Sequence, residues 1–416
     1  MTKWHSINAS TRVAEFLLFL TISLAARGLY IFLFHNCSSF DLKAWDDVGD
    51  ILMAGENPYH LTTFISWPPF WMQVIFIAKK ISLTLHVPFI DVIRVVLITA
   101  ESAMALVLYI AGIRYAKSAN ILKLLIFGIA LNPISIFLVC QHCNFDVFLG
   151  FWILLAVYMV LRFQEQYESQ FWLCACFALG MGVLTKTVPL CLAPLLLLSM
   201  RKLKFLERLL GAVFLLFPVI IGLSVVYALG PNDIQTKVLG YRSVVGCFGF
   251  TGLFRYFGMT YLSLGWSAIF EVIYGIAWVC AGFWLWSREN LAPKTIVMVA
   301  VVLLIGIPAI GPGYCPQYAH WFLPLLVLLY GMEDKNGRVF LLVFYAIATV
   351  IYTVEYAFNF NTFGAFFLEI IQTRDLVQFG LWISTPTHQM FLFLPLWLFF
   401  IVATFYFGLR IKATLR

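Results

Sequence analysis

Long apolar runs, separated by short polar turns, follow one another along almost the entire chain. A helix needs about 20 mostly apolar residues to cross a ~30 Å hydrocarbon core. Apolar stretches of about this length predict about twelve membrane-spanning helices. Their predicted ranges are 13–34, 89–112, 119–140, 146–162, 170–185, 188–200, 209–229, 263–287, 295–310, 319–332, 339–357 and 389–409. The chain is therefore predicted to be an all-α polytopic membrane protein.

The composition supports this prediction. Hydrophobic residues make up 62% of the 416 residues and charged residues 11%, whereas soluble globular proteins carry roughly 25% charged residues. No soluble domain remains once the helices are subtracted, so we predict a single transmembrane domain over 1–416. The net charge of +7 does not indicate nucleic-acid binding, because the basic residues lie at the ends of the predicted helices.

A short apolar stretch at 68–78 decides the predicted topology. It ends at Lys79 and Lys80, and Pro68 and Pro69 suit the first turn of a helix. If this stretch does not cross, most basic turns fall on one face, which the positive-inside rule assigns to the cytoplasm. We therefore predict a juxtamembrane or re-entrant helix here, with both termini cytoplasmic.

On this topology, polar segments collect on the extracytoplasmic face. The first outer loop, about 35–88, holds five carboxylates: Asp41, Asp46, Asp47, Asp50 and Glu56. On a helix, Asp46 and Asp50 would share one face while Asp47 turns away. The other polar outer segments are 141–146, 185–189, 230–258 and 311–321. This face is where we expect any chemistry.

Several short motifs occur in order along the outer segments. They are DLKAW at 41–45, LMAGENPY at 52–59, WPPF at 67–70, Asn132-Pro133, NFD at 144–146, KTVP at 186–189, YRS at 241–243 with Gly249, and PQY at 316–318 with Trp321. In this order the chain resembles the C-type-fold integral-membrane glycosyltransferases that use polyprenyl-phosphate sugars. It is most similar to the mannosyltransferase-like glycosyltransferase family 87. Trp45 replaces a more usual Tyr, and Cys143-Asn144 stands where the family typically has Gly-Gln.

The resemblance implies a C-type glycosyltransferase fold with juxtamembrane helices in the first outer loop. It also implies an inverting transfer of a sugar, mannose or another hexose or pentose, from a polyprenyl-phosphate donor to an acceptor hydroxyl. The acceptor would be a glycan, a glycolipid or a protein, and the reaction would take place on the outer side of a bacterial inner membrane.

The chemistry of this transfer requires a base, because the acceptor hydroxyl loses its proton as it attacks. Asp41 directly follows the first predicted span, and both the resemblance and the chemistry make it the candidate catalytic residue. A helix cap or a hydrated loop anion is the structural alternative for this carboxylate.

The departing phosphate requires cations or hydrogen-bond donors. The candidates for contacts to the donor phosphate or sugar are Lys186, Arg242, Arg255, His142, Asn144, Asp146, Gln317, His320, Tyr59 and Trp67. Each has a structural alternative. The cations would otherwise contact lipid headgroups, the polar residues would form a turn, and the aromatic residues would belong to an interfacial belt.

Arg27, inside the first span, would bind the donor, snorkel to the headgroups or pair with Glu101. No metal or other cofactor is expected, because cationic side chains can offset the phosphate charge, and Cys140 and Cys143 lack a second ligand pair for zinc. A transporter or flippase of a lipid-linked solute is the alternative function. The absence of an internal repeat and the one-sided polar residues argue against it.

Overall fold

The computed structural model describes residues 9–34, 39–62, 65–117, 131–198, 200–229, 234–239, 248–313, 316–358, 378, 382 and 385–414. Its elements are α1 (Ala9–Leu33), α2 (Phe40–Met53), α3 (Pro58–Leu61), α4 (Phe70–Leu85), α5 (Phe89–Tyr115), α6 (Pro133–Phe137), α7 (Asp146–Gln166), α8 (Ser169–Thr185), α9 (Phe205–Leu229), α10 (Gly249–Tyr256), α11 (Thr260–Trp286), α12 (Pro293–Ile310), α13 (Ala319–Met332), α14 (Lys335–Phe358) and α15 (Pro386–Thr414). A π-helix (Leu138–His142) continues α6, and 3₁₀-helices (Val188–Leu197, Met200–Lys202, Pro316–Tyr318) and a further π-helix (Ile234–Leu239) join other elements.

Eight helices of the described chain are long and apolar enough to cross a membrane, namely those in α1, α5, α7, α9, α11, α12, α14 and α15. They coincide with eight of the predicted spans. The predicted spans 170–185 and 319–332 form shorter helices, and 188–200 forms a ten-residue 3₁₀-helix. Most of 119–140 lies outside the described residues. The all-α membrane fold is thus confirmed, and a count of about twelve spans is compatible with it.

The helix α7 lies at the centre of the bundle, in contact with α5, α8 and α13. Its side chains are apolar almost all round, as expected for a helix that is buried on every side. Gly150 lets α13 approach closely, since a Cβ at this position would lie 2.7 Å from the backbone oxygen of His320. The core therefore forms around α7, and the turn that precedes the first residue of α7 lies at one end of this core.

A buried ion pair joins α1 to α5. The Nη2 of Arg27 donates to Glu101 Oε1 at 2.6 Å, and both side chains are almost fully buried. Ser135 hydrogen-bonds to both of them. This is the structural pairing that the sequence offered as the alternative to donor binding.

The segment predicted as the first outer loop contains helices α2, α3 and α4, and α2 packs on α4. The Nζ of Lys79 on α4 lies 2.6 Å from Asp46 and 2.9 Å from Asp50, while Asp47 is exposed. The predicted sharing of one face by Asp46 and Asp50 is therefore confirmed. Residues 70–78 of the stretch 68–78 lie in α4, which begins at Phe70 directly after its N-cap Pro69, has 16 residues and is shorter than the eight spans.

Candidate active site

The start of α2 is fastened to the turn at 142–144. Ser39 caps α2 by accepting from the Leu42 amide, and its hydroxyl donates to the backbone oxygen of His142 at 2.7 Å. One turn later, Trp45 Nε1 donates to the backbone oxygen of Cys143 at 3.2 Å. Ser is a favoured N-cap residue, and here the same hydroxyl joins two segments about 100 residues apart. Asp41, between these two anchors, is held in the first turn of α2.

The turn at 142–144 is itself rigidly held. The preceding π-helix is fixed by Arg94, whose Nε donates to the Cys140 oxygen at 2.8 Å. Cys143 then reverses the chain with a φ of 54°, and the side-chain oxygen of Asn144 accepts from the amide of Asp146, the first residue of α7, at 3.0 Å. Single π-turns within helices occur frequently at functional sites. Here the π-turn directs the side chains of His142 and Asn144 towards α2.

Both of these side chains reach the same oxygen of Asp41. His142 Nε2 lies 2.8 Å from Asp41 Oδ2, and Asn144 Nδ2 donates to that oxygen at 3.1 Å. Since a carboxylate only accepts, the His142 ring nitrogen supplies the hydrogen. Asp41 Oδ1 receives no hydrogen bond from the part of the chain that the structure describes. One carboxylate oxygen is thus held by two side chains, whereas the other has no hydrogen-bond partner among the described residues.

The surroundings of Asp41 favour its ionised form. Burial raises the pKa of this carboxyl, but the charge and hydrogen bond of His142 lower it, as do the hydrogen bond from Asn144 and the charge of Lys186. The net effect is a pKa below the usual value for Asp. About 32% of the side chain remains exposed, so the carboxylate is both ionised near neutral pH and accessible.

Lys186 is the second fixed charge of the site. It follows the last residue of α8, and its Nζ lies 3.0 and 3.2 Å from the two carboxylate oxygens of Asp146. The ammonium also lies over three aromatic rings, with centroid distances of 4.8 Å to Tyr318, 5.0 Å to Trp321 and 5.5 Å to Phe145. Such rings attract cations through their faces. The ammonium is thereby held in one position, with 20% of the side chain exposed.

Asp41 and Lys186 line the same cavity, whose volume is about 450 Å³. Predicted residues Trp67, Asn144 and Gln317 also line it. Apolar side chains from three further elements complete the wall, namely Val188, Phe270 and Ile307. Among the described lining residues, Lys186 carries the single cationic side chain. The cavity thus combines carboxylate groups with one cationic group on a mostly apolar wall.

Other predicted residues lie elsewhere. Tyr59 is buried beside the cavity wall, where its hydroxyl donates to the Trp67 oxygen at 2.8 Å and where burial raises its pKa. His320 is buried within α13, and Arg255 is exposed near the end of α10. Neither of these two contributes to the cavity lining. Arg242 lies outside the described residues.

Two polar lining residues on α11 were not among the candidates. Ser267 and Glu271 stand one turn apart on α11 and face the cavity together. Glu271 is the one acidic or basic residue in the predicted span 263–287. A charge inside a membrane span is expensive and points to function, so this rule could have identified it from the sequence.

Comparisons with solved structures give a likeness at the level of the fold. No family model matches the chain, and no curated protein matches it. Among solved structures, the chain is similar to ArnT from Cupriavidus metallidurans bound to undecaprenyl phosphate, with a TM-score of 0.56 and 16% identity. The match covers 95% of this chain and 77% of ArnT. The chain has the C-type glycosyltransferase fold. The predicted fold class is thereby confirmed, while membership of glycosyltransferase family 87 stays a prediction.

Proposed function

We propose that this protein is an inverting glycosyltransferase that moves a sugar from a polyprenyl-phosphate donor to an acceptor hydroxyl. The observation that carries the proposal is the cavity in which Asp41 and Lys186 meet. A glycosyl transfer from a phosphate needs both an ionised base for the incoming hydroxyl and a cation for the departing phosphate. The two residues supply these two requirements in one place, and the fold is that of proteins performing this chemistry.

The proposed reaction is a single displacement. The acceptor oxygen attacks the anomeric carbon, its proton passes to Asp41 Oδ1, and the bond from that carbon to the phosphate oxygen breaks. The departing polyprenyl phosphate keeps the electron pair, and the ammonium of Lys186 stabilises the negative charge that it gains. Since attack and departure occur on opposite faces of the sugar, the configuration at the anomeric carbon inverts.

His142 and Asn144 act on the base. By occupying Oδ2, they orient the carboxylate so that Oδ1 faces the cavity, and they keep it ionised. A base held in one orientation loses less freedom when the acceptor arrives. We assign these two residues as positioning residues for Asp41.

A lipid donor is supported by the apolar wall of the cavity and by the likeness to ArnT, which was solved with undecaprenyl phosphate. We propose mannose or another hexose or pentose as the sugar, and a glycan, glycolipid or protein as the acceptor. We further propose that the cavity opens on the outer side of a bacterial inner membrane, with both termini in the cytoplasm. Metal independence is part of the proposal, and chelator treatment tests it.

The test uses purified protein with a panel of polyprenyl-phosphate sugars, each carrying one labelled sugar. We expect one donor to be consumed, with release of polyprenyl phosphate and formation of a glycoside of inverted configuration. Asp41→Asn should lower the rate by roughly 10²–10⁴-fold, the usual contribution of a general base. Donor binding, measured as protection from heat denaturation, should be retained in that variant.

Asp47→Asn is the matched control, because Asp47 is exposed on the same helix and lies outside the cavity lining. Normal turnover by Asp41→Asn would overturn the assignment of the base. Movement of a lipid-linked sugar across proteoliposomes without any glycosidic product would favour the transporter alternative instead.

A further inference from the structure

A second cavity, of about 480 Å³, lies between α8, the Val188–Leu197 3₁₀-helix, α9 and α11. Its wall is formed almost entirely by apolar side chains, including Leu197, Leu215 and Trp278. Two of the helices that border it, α9 and α11, are candidate membrane spans with mostly exposed apolar surfaces. We call this cavity the apolar groove. Apart from Arg208 and the tryptophans, its described lining is aliphatic, aromatic or sulfur-containing, and it would open towards hydrocarbon.

The apolar groove is separate from the catalytic cavity. On α11 the catalytic cavity is lined by Ser267 and Glu271, whereas the groove extends from Trp278 to Trp286. At 1.5 Å per residue, the 15 residues from Glu271 to Trp286 place the far end of the groove roughly 22 Å away along the helix. A headgroup at the Trp286 end of the groove would therefore lie far from the reacting groups.

Small residues create the space. Ala193 and Ala212 line the groove, and Gly282 on α11 faces the 3₁₀-helix across it. A Cβ at Gly282 would lie 3.3 Å from Leu197 Cδ1, which is a tight but tolerable contact. Side chains of ordinary size at these positions would fill the groove.

Two guanidinium groups lie at one end of the groove. Arg208 forms part of the wall, and its Nε and Nη2 donate to the backbone oxygens of Leu203 at 3.0 Å and Arg201 at 3.1 Å. The guanidinium of Arg201 lies 5.2 Å from the ring centroid of Trp286, which also lines the groove. The segment 201–208 contains four basic residues and one acidic residue, Glu207. This end of the groove is therefore positively charged.

We propose that the apolar groove binds an anionic phospholipid, with one hydrocarbon chain in the groove and the phosphate against Arg208 and Arg201. The apolar wall suits a chain without polar atoms, and guanidinium groups match phosphate oxygens. Charge complementarity favours this occupant over a neutral lipid. The shape and the surrounding hydrocarbon surface favour a chain over a soluble peptide.

The experiment measures binding of phosphatidylglycerol and phosphatidylcholine, with identical acyl chains, to delipidated protein by native mass spectrometry. We expect phosphatidylglycerol to bind more tightly, and Arg201→Gln to weaken it roughly fivefold, the effect of one basic residue near an anionic headgroup. Ala212→Phe should fill the groove and abolish this binding. Arg208→Gln provides a second test of the headgroup contact.

Two variants serve as controls. Leu216→Phe adds the same ring on an exposed part of α9, outside the groove, and Arg288→Gln removes an exposed arginine that stacks on Trp284. Both should bind phosphatidylglycerol like the unchanged protein. Equal affinity for the two lipids, or equal binding by Ala212→Phe and Leu216→Phe, would overturn the proposal. So would a dimer of delipidated protein, detected by light scattering, that Ala212→Phe converts to monomer.

Discussion

The ion pair of Lys186 with Asp146 gives a prediction that separates stability from catalysis. In Lys186→Met the side chain keeps its length and its contact with the aromatic rings, but the fully buried carboxylate of Asp146 loses its cation. The variant should therefore be destabilised and inactive. In the double variant Lys186→Met/Asp146→Asn no charge remains unpaired, so stability should largely return. Activity should not, because the departing phosphate still lacks its cation.

The expected magnitude follows from the geometry. At the observed 3.0 Å separation, Coulomb's law with an effective dielectric constant of about 20 gives a gross attraction of roughly 5 kcal/mol. Desolvation of the two groups offsets part of this attraction. Removing one partner of a buried pair typically costs about 3–5 kcal/mol, whereas replacing both partners is often nearly neutral. We expect about 3 kcal/mol for the single variant and less than about 1 kcal/mol for the double variant.

The assay is the free energy of unfolding in mixed micelles, titrated with a denaturing detergent, alongside sugar transfer by the same preparations. A loss below about 1 kcal/mol in Lys186→Met would show that the pair is not desolvated as the structure indicates. Recovery of transfer in the double variant would refute the phosphate role of Lys186. In that case Lys186 would serve only to neutralise Asp146.

Three further predictions concern Asp41, the first outer loop and the bundle. Because the pKa of Asp41 is lowered, its contribution to kcat/KM and to folding should be fully present above its ordinary pKa of about 3.9 and disappear only as the pH falls through the lowered value. His142→Ala should move the acidic limb of the kcat/KM profile to higher pH. An unmoved limb would contradict the contact between His142 and Asp41. Lys79→Met should cost only about 1 kcal/mol of unfolding free energy, because its partners Asp46 and Asp50 are 47% and 66% exposed. Lys80→Met, which removes an exposed lysine, is the control. Gly180→Ala should lower the free energy of unfolding by about 1–3 kcal/mol, because the added Cβ would clash with the backbone oxygen of Leu215 on α9. An unchanged free energy of unfolding would show that α8 and α9 can move apart without cost.

The periodic apolar pattern was sufficient for the long helices but not for the segment after Lys186. Residues 188–200 were predicted as a span, and the structure has a 3₁₀-helix over Val188–Leu197. Pro189 and Pro194 remove two backbone donors from this short stretch, which disfavours a regular α-helix. A 3₁₀-helix rises about 2.0 Å per residue instead of 1.5 Å. The ten residues of this 3₁₀-helix thus extend over roughly 20 Å. Hydropathy identifies the apolar stretch but does not indicate which type of helix it forms.

The components of the candidate site were more predictable than their arrangement. Asp41, His142, Asn144 and Lys186 were all candidates because polar residues at the outer ends of apolar helices are conspicuous. That these side chains lie together depends on the π-helix at Leu138–His142 and on the left-handed backbone conformation of Cys143. Neither feature has a recognisable pattern in the local sequence. Glu271 has a local signal, its position within a predicted apolar span, but it lies outside the polar segments between the spans, on which the site prediction rests.

The concentration of acid in the first outer loop resolves into distinct physical roles. Asp46 and Asp50 bind Lys79 and so fix α4 on α2, whereas Asp47 and Glu56 are exposed. Of the five carboxylates, Asp41 alone lines the cavity. A phosphate donor would be repelled by an uncompensated cluster of anions. Asp46 and Asp50 are paired with Lys79 and lie outside the cavity lining, so Asp41 is the one carboxylate of this loop that lines the cavity with Lys186, where the proposed transfer requires a base and a cation.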